Sequence, residues 1–347
     1  MITSNSINGL FGQVLKASAS WAYEQRRGNR STVDSPCPIM LHLTEPRNRV
    51  LSWPHRNNSV PAAAAETLWV LAGRDDMEFL KYYLPRATDF ADDINKSRWR
   101  AGYGPRLRGK FPRLQDQLSF VVNELKARPN SRRAIVTLAD PAEDIPAATA
   151  IDWPCTLTLN FLVRDGKLDL TVYMRSNDIL WGAFGINIFE FTVMQEVVAG
   201  LTRIPLGQYY HISNSLHYYT DFEKRFEAMR NALPQKDRYA EYGAFTSIRQ
   251  LDSYDQLGYA LTRFFGWESL LRNFTNEVAY HNAIEGFVAT RSNFGCLHDL
   301  VWAVLCYQAA HRGFIASSGA ALRQMLDLQM RQSVIDVIAR EQNQQVK

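Results

Sequence analysis

From residue 7 to residue 26 the apolar positions Leu10, Phe11, Val14, Leu15 and Trp21 recur at helical spacing, which predicts an amphipathic helix. An arginine-rich loop follows from Arg26 to Ser31, then an extended segment from Ile39 to Thr44. Pro61 to Gly73 is apolar nearly all round, with proline near its start and glycine at its end, the marks of a buried helix. Residues 85–112 are rich in Asp, Arg and Gly and read as loop, whereas 114–127 return to helical spacing. Asn130-Ser131-Arg132-Arg133 then leads into the β-branched run ending at Leu138, a strand with a polar start.

The clearest local signal lies at 156–174. Leu157, Leu159 and Phe161 alternate with Thr158 and Asn160, Asp165-Gly166 turns the chain, and Leu168, Leu170 and Val172 alternate again. This pattern predicts a β-hairpin closed by a type I′ turn. Residues 187–200 carry Ile188, Phe191, Met194 and Val198 at helical spacing, 208–219 read as one strand, and from about residue 250 the chain is mostly helical. No repeat, low-complexity tract or linker interrupts the pattern. The expectation is a single α+β domain over residues 1–347, with a mostly helical extension from about residue 235.

Composition narrows the functional classes. With 347 residues, 46% of them hydrophobic and 12% aromatic, the chain has ample material for a large core. Its net charge of +4 comes from 39 basic and 35 acidic side chains spread along its length. That balance argues against direct nucleic-acid binding but allows a local arginine cluster to hold a small anion. The four cysteines show no CxxC pair and no zinc spacing, so no metal site is expected and a reducing cytoplasm is the expected compartment. No signal-peptide pattern opens the chain, and no apolar run reaches the roughly 18 residues a membrane span needs.

The candidate chemistry clusters around the hairpin. Pro154-Cys155 precedes it, Arg175-Ser176-Asn177-Asp178 follows it, and Asn187 opens the next helix. A hairpin returns its far end to its start, so Arg175 is expected beside Cys155, where a cation favours the thiolate. A buried structural role is the commoner fate of a lone cysteine. Arg132 and Arg133 at a strand start suit a phosphate. Asn187 is either a helix N-cap or a base-reading amide, since a carboxamide complements the O4 acceptor and N3–H donor of uracil. Glu66, inside an apolar helix, must find partners or sit in a cavity as an acid–base group. His217 and Tyr219 share one strand face and can bond a sugar hydroxyl. Together these residues describe covalent chemistry on a pyrimidine nucleotide.

Taken in order, the Arg27 stretch, Glu66-Thr67-Leu68-Trp69, Tyr103-Gly104, Asn130-Ser131-Arg132-Arg133, Pro154-Cys155, Tyr173-Met174-Arg175-Ser176-Asn177-Asp178, Gly182 with Asn187, and His217-Tyr218-Tyr219 resemble the thymidylate synthase superfamily. The resemblance implies an α+β fold, a mixed sheet flanked by helices, with sheets packed face to face in a homodimer. It also implies 5,10-methylenetetrahydrofolate as co-substrate and dUMP as partner. On this resemblance Cys155 is the nucleophile that adds to C6 of the base. Arg27 (or Arg30 in its stead), Arg175 and Ser176 bind the phosphate, and Arg132 and Arg133 reach it across the dimer interface. Asn187 reads the base, His217 and Tyr219 hold the sugar, and Glu66 organises water and proton transfer. Tyr103 lies near the reacting base and Asp178 near the folate pterin.

The chain departs from that pattern in places that bear on its chemistry. Thr156 follows the cysteine where thymidylate synthases carry His, and Met174 precedes Arg175 where they carry Gln. Thr88 and Ala91 fall near the positions of a tryptophan pair, although Trp99 lies further along. The last residues, Glu341 to Lys347, are polar where synthases end on an apolar residue that seals the site. These departures resemble the hydroxymethylase branch. In both branches the cysteine adds at C6, C5 attacks the folate methylene, the C5 proton leaves, and tetrahydrofolate is eliminated to give an exocyclic methylene. A synthase then delivers hydride from the folate; a hydroxymethylase lets water add. The expected activity is dUMP hydroxymethylation, as for the modified DNA of some phages, with thymidylate synthase and dCMP or CMP hydroxymethylase as alternatives. One extra residue between Gly182 and Asn187 leaves open whether the amide reaches the base.

Overall fold

The structure, a computed structural model, describes residues 1–27, 30–90, 97–109, 115–147, 149–150, 152–232, 251–290 and 292–345. Its strands are β1 (Ile2–Ser4), β2 (Tyr23–Arg27), β3 (Arg30–Asp34), β4 (Ile39–Leu43), β5 (Ile135–Thr137), β6 (Thr156–Arg164), β7 (Lys167–Met174), β8 (Asn177–Asp178), β9 (Leu206–Ser213) and β10 (Leu216–Tyr219). A mixed six-stranded sheet runs β1-β4-β9-β7-β6-β5, and a smaller sheet runs β2-β3-β10-β8. Helices flank both, so the fold class is α+β as expected.

The hairpin forms as its alternation requires. Asp165 and Gly166 both take positive φ, 48° and 73°, the type I′ geometry that matches strand twist. Leu159, Phe161, Leu168, Leu170 and Val172 are buried. The register shifts between Thr156 and Thr158, an irregularity at the start of β6 that lies directly beside Cys155.

Several boundaries differ from expectation for identifiable reasons. The first helix spans Ile7–Ser18 only, capped by Ser6, whose hydroxyl accepts from the Gly9 amide at 3.1 Å. Beyond it Tyr23–Arg27 pairs antiparallel with Arg30–Asp34, so Arg26, Arg27, Arg30 and Ser31 lie in strands rather than in a helix end and loop, with Gly28 and Asn29 outside the described residues. The expected 208–219 strand is two strands in different sheets. At the break the Asn214 amide donates to Met174 O at 2.9 Å and the Asn177 amide to Ser215 O at 2.8 Å. A period-2 pattern carries no sign of such a change of sheet.

The polar stretch expected as loop contains a short helix, Tyr103–Leu107. Its charges are neutralised by distant partners, which a local reading cannot see. Arg106 is fully buried and its two terminal nitrogens bond Asp144 at 2.9 and 2.7 Å, with a further bond to Leu138 O at 2.8 Å. Replacing Arg106 with methionine would leave the buried Asp144 carboxylate with Arg100 Nη1 at 3.1 Å and the Asp140 amide at 2.9 Å as its remaining partners. The expected cost is about 2–3 kcal/mol of unfolding free energy, read by chemical denaturation. A loss under about 1 kcal/mol would show that the pair does not anchor this helix.

The Val60–Leu71 helix is buried on all sides because it lies between two others. The Ile188–Thr202 helix packs on it from the sheet side, and the helix His298–His311 from the C-terminal region packs on it too. The C-terminal helices therefore back the helix that carries Glu66. Residues 179–202 form a helical run long and apolar enough to cross a membrane, contrary to expectation, but 89% of its most apolar window is buried inside the protein. It is a core helix.

Candidate functional site

A cavity of about 360 Å³ opens where the hairpin, the two helices and β10 meet. Glu66, Tyr103, Cys155, Arg175, Ser176, Asp178, Asn187, His217 and Tyr219 all line it. Arg132 and Arg133 are exposed and do not line it. The Arg27 side chain lies outside the described residues, and its alternative, Arg30, does not line the cavity but stacks on Tyr219, which does. Its guanidinium lies 3.6 Å above the Tyr219 ring and pairs with Asp221 at 2.8 Å.

The hairpin brings Arg175 to Cys155 as the spacing required. The Arg175 amide donates to Cys155 O at 2.9 Å, its Nε to Pro154 O at 2.9 Å, and its Nη2 to Trp153 O at 3.1 Å. These bonds hold Nη2 3.8 Å from the sulfur. The expected thiolate does not follow, because burial pushes the Cys155 thiol up more than the Arg175 cation pulls it down. Tyr103 reaches the same place, its hydroxyl accepting from the Thr156 amide at 3.2 Å and its ring stacked on Phe191 at 6.2 Å. Burial, and then the neighbouring Cys155, raise the phenol pKa.

Two departures from the synthase pattern touch each other. Thr156 and Met174 are register partners, and the Thr156 hydroxyl lies 3.6 Å from the Met174 sulfur. The Asn177 amide nitrogen meets that sulfur at 3.1 Å and His211 Nε2 at 2.8 Å. His211 in turn bonds the Tyr209 hydroxyl through Nδ1 at 2.8 Å. With Asn177 donating, Nε2 accepts and the His211 proton sits on Nδ1. Burial drives the imidazole pKa down to about 3, so the ring is neutral.

Asn187 is not an N-cap. It has α-helical φ and ψ, −66° and −44°, and makes no side-chain cap bond. Residues Ile179–Asn187 form a π-helix running straight into the next helix. Its wider turn absorbs the extra residue between Gly182 and Asn187, and the buried amide lines the cavity. Gly182 has no room for a side chain, since a Cβ there would meet Asn177 Oδ1 at 1.9 Å and Asn187 Oδ1 at 3.2 Å. Asp178 caps this helix by accepting from the Trp181 amide, while its Oδ2 is buried without a partner. Burial raises its pKa, opposed by the Trp181 amide and by His217 and Arg56. His217 meets Tyr219 edge-on at 5.5 Å.

The expected loss of an aromatic wall is corrected. Thr88 lies in a short turn, bonding Pro85 O, and Ala91 lies outside the described residues. Trp69, Trp99, Trp153 and Trp181 nevertheless line the cavity, with Trp69 and Trp99 6.4 Å apart. Trp267, Phe264 and Phe265 instead pack among Phe79 and Phe287, away from the site.

Glu66 sits in the cavity with Oε2 buried and unpartnered, and burial pushes its carboxyl up to about 7. One acid was missed from the sequence. Glu190 is fully buried on the Ile188–Thr202 helix, and among the described residues neither oxygen has a hydrogen-bond partner. Burial first, and Glu66 second, raise its pKa well above the carboxylate range. An acid between Phe189 and Phe191 was as visible as Glu66 between Ala65 and Thr67.

A carboxyl raised from 4.5 to about 7 on folding favours the folded state fully below pH 4.5 and loses that favour as pH rises through 7. Glu66→Leu should therefore gain on the order of 3 kcal/mol of stability over wild type between pH 5 and pH 8. Thermal unfolding at the two pH values reads this. Equal changes at both would show that Glu66 ionises normally.

The thymidylate synthase family model matches residues 42–255. The chain is 38% identical over 192 residues to a deoxyuridylate hydroxymethyltransferase of Bacillus phage SP01, covering 53% of this chain and 50% of that protein. It is 34% identical over 225 residues to one of Delftia phage PhiW-14, covering 62% and 60%. It is 31% identical over 183 residues to a thymidylate synthase of Symbiobacterium thermophilum, covering 49% and 63%. The match thus spans about half to three fifths of the length of these relatives. The crystal structure of thymidylate synthase from T4 phage superposes with a TM-score of 0.50 at 23% identity, over 65% of this chain and 82% of that one, a likeness of fold. With its family model matched over more than half its length, this chain belongs to the thymidylate synthase family.

Proposed function

We propose that this protein is a folate-dependent dUMP hydroxymethylase. It would transfer a one-carbon unit from 5,10-methylenetetrahydrofolate to C5 of dUMP and let water complete the product, 5-hydroxymethyl-dUMP. The carrying observation is the convergence of Cys155, Arg175, Asn187 and Glu66 on one cavity. In this reading Cys155 adds to C6, Arg175 and Ser176 hold the phosphate, His217 and Tyr219 the ribose, and Asn187 the uracil edge. Asp178 has a buried free oxygen for a donor on the folate pterin. Tyr103 orders the region around the sulfur. Folate fits the aromatic walls, which suit a flat heterocycle; its methylene supplies the electrophilic carbon.

Water rather than hydride is supported by Thr156 and Met174, in contact beside the nucleophile where synthases carry His and Gln, and by the likeness to deoxyuridylate hydroxymethyltransferases of two phages. Thymidylate synthesis is the second reading. The tryptophans around the cavity favour it, because they could shield an intermediate from water. Arg132 and Arg133, exposed and away from their own cavity, fit a homodimer in which each subunit lends them to the other's phosphate site.

The test is release of tritium from C5 of dUMP, dCMP, UMP and CMP, each with methylenetetrahydrofolate, while dihydrofolate is followed by absorbance. This reading expects release from dUMP above the others and no dihydrofolate. Release from dCMP alone contradicts the role of Asn187. Release from none contradicts the activity.

A further inference from the structure

We propose that Glu190 is a positioning residue that carries the acid proton of a one-proton carboxyl pair with Glu66. The inference rests on the reading of Glu66 as the group that takes the proton of the attacking water. Glu190 reaches its place because the helices Val60–Leu71 and Ile188–Thr202 pack against one another, each bringing one acid into the shared core. Among the described residues neither oxygen of Glu190 has a hydrogen-bond donor, and Glu66 Oε2 lacks one as well. Two carboxylates cannot both stay charged in such a place, so one proton must remain with the pair. Glu190 is the more deeply buried of the two, being 0% exposed against 8% for Glu66, and so is the acid that keeps it.

The surroundings of Glu190 agree. The ionisable groups that face it are Glu66, Tyr103 from the Tyr103–Leu107 helix and Tyr209 from β9, with neutral His211 behind Tyr209. Since His211 carries its proton on Nδ1 and gives it to the Tyr209 oxygen, the Tyr209 hydroxyl hydrogen is not spent on His211. Other acids on this helix and on the elements packed around it are neutralised by arginine. Glu124 bonds Arg128, Asp169 bonds Arg164, and Glu196 bonds Arg47 and Arg49. Glu190 is different: among the described residues no arginine or lysine faces it. A buried acid without a cation costs stability, and function is the usual reason for such a cost.

In the reaction, the water oxygen bonds to the exocyclic carbon and its proton passes to the Glu66 carboxylate. The carbon–carbon double-bond pair moves into the ring towards O4. Return of that pair rebuilds the C5–C6 double bond and expels the Cys155 thiolate. Glu66 must therefore start charged while its neighbour stays neutral. A protonated Glu190 meets both requirements and keeps Glu66 basic near neutral pH.

Glu190→Gln and Glu190→Met test the pair. In the free protein, infrared spectroscopy at neutral pH should show a buried carboxylic-acid carbonyl band that Glu190→Gln removes. With dUMP, the kcat profile of the wild type should show two ionisations, whereas Glu190→Gln keeps the acidic limb and loses the alkaline one. Its dUMP affinity should stay within about twofold. Glu190→Met should raise the melting temperature yet lower kcat roughly tenfold or more. An unchanged band and an unchanged profile in Glu190→Gln would overturn the proposal, as would Glu190→Met that loses stability and keeps its kcat. The band needs no nucleotide. A protein that loses it on substitution but turns over no dUMP would refute the proposed activity and leave the pair standing.

Discussion

Cys155→Ala is expected to lower dUMP turnover by on the order of 10⁴-fold or more, and to leave dUMP affinity within a few-fold of wild type. The size follows from the chemistry. Without a covalent bond at C6, C5 has no carbanion character and cannot attack the folate methylene. The preserved binding follows from geometry. Arg175 is held by the carbonyls of Trp153, Pro154 and Cys155, none of which needs the sulfur. Burial keeps the free thiol protonated. Its proton must therefore leave as the sulfur bonds C6, and its passage to solvent predicts proton release when dUMP binds wild type but not the alanine variant. Calorimetry in buffers of different ionisation enthalpy measures that difference, and C5 tritium release measures turnover. Turnover surviving in Cys155→Ala would remove the nucleophile from the account.

Asn187→Asp carries the second large effect, on the choice of base. Uracil offers an O4 acceptor and an N3–H donor, which an amide satisfies at once. Cytosine offers an exocyclic amine and a bare N3, which suit a carboxyl group with one proton. Asparagine and aspartate are nearly isosteric, so the exchange alters the donors and acceptors of a buried, cavity-lining side chain with little change of shape. The ratio of kcat/KM for dUMP over dCMP should fall by roughly 10³-fold, since an unpaired polar group in a closed pocket is costly. Comparing tritium release from the two nucleotides gives the ratio directly. An unchanged ratio would mean that the amide does not read the base.

Much of the site was legible because its core is local in sequence. Cys155 and Arg175 sit at the two ends of one hairpin, and alternation plus Asp165-Gly166 specifies that hairpin without reference to the rest of the chain. His217 and Tyr219 share a face through the same period. Where pairing was long-range, local pattern misled. The 103–107 helix looked like loop because its charges answer to Asp144, 38 residues from Arg106. The split of 208–219 depends on bonds to Met174 and Asn177, which alternation does not encode. The π-helix that seats Asn187 appeared in sequence only as an extra residue. Glu190 went unnoticed although the burial rule that marked Glu66 applies to it equally. The aromatic wall was sought at Thr88 and Ala91, whereas Trp99 and Trp181 reach the cavity from other elements.

The central claim is that water, rather than hydride, ends the reaction. It is tested most directly by running dUMP with methylenetetrahydrofolate in water enriched in heavy oxygen and weighing the nucleotide product. The account predicts 5-hydroxymethyl-dUMP carrying one heavy oxygen on the new carbon, with tetrahydrofolate as the other product. A methylated nucleotide without the label, formed together with dihydrofolate, would contradict it.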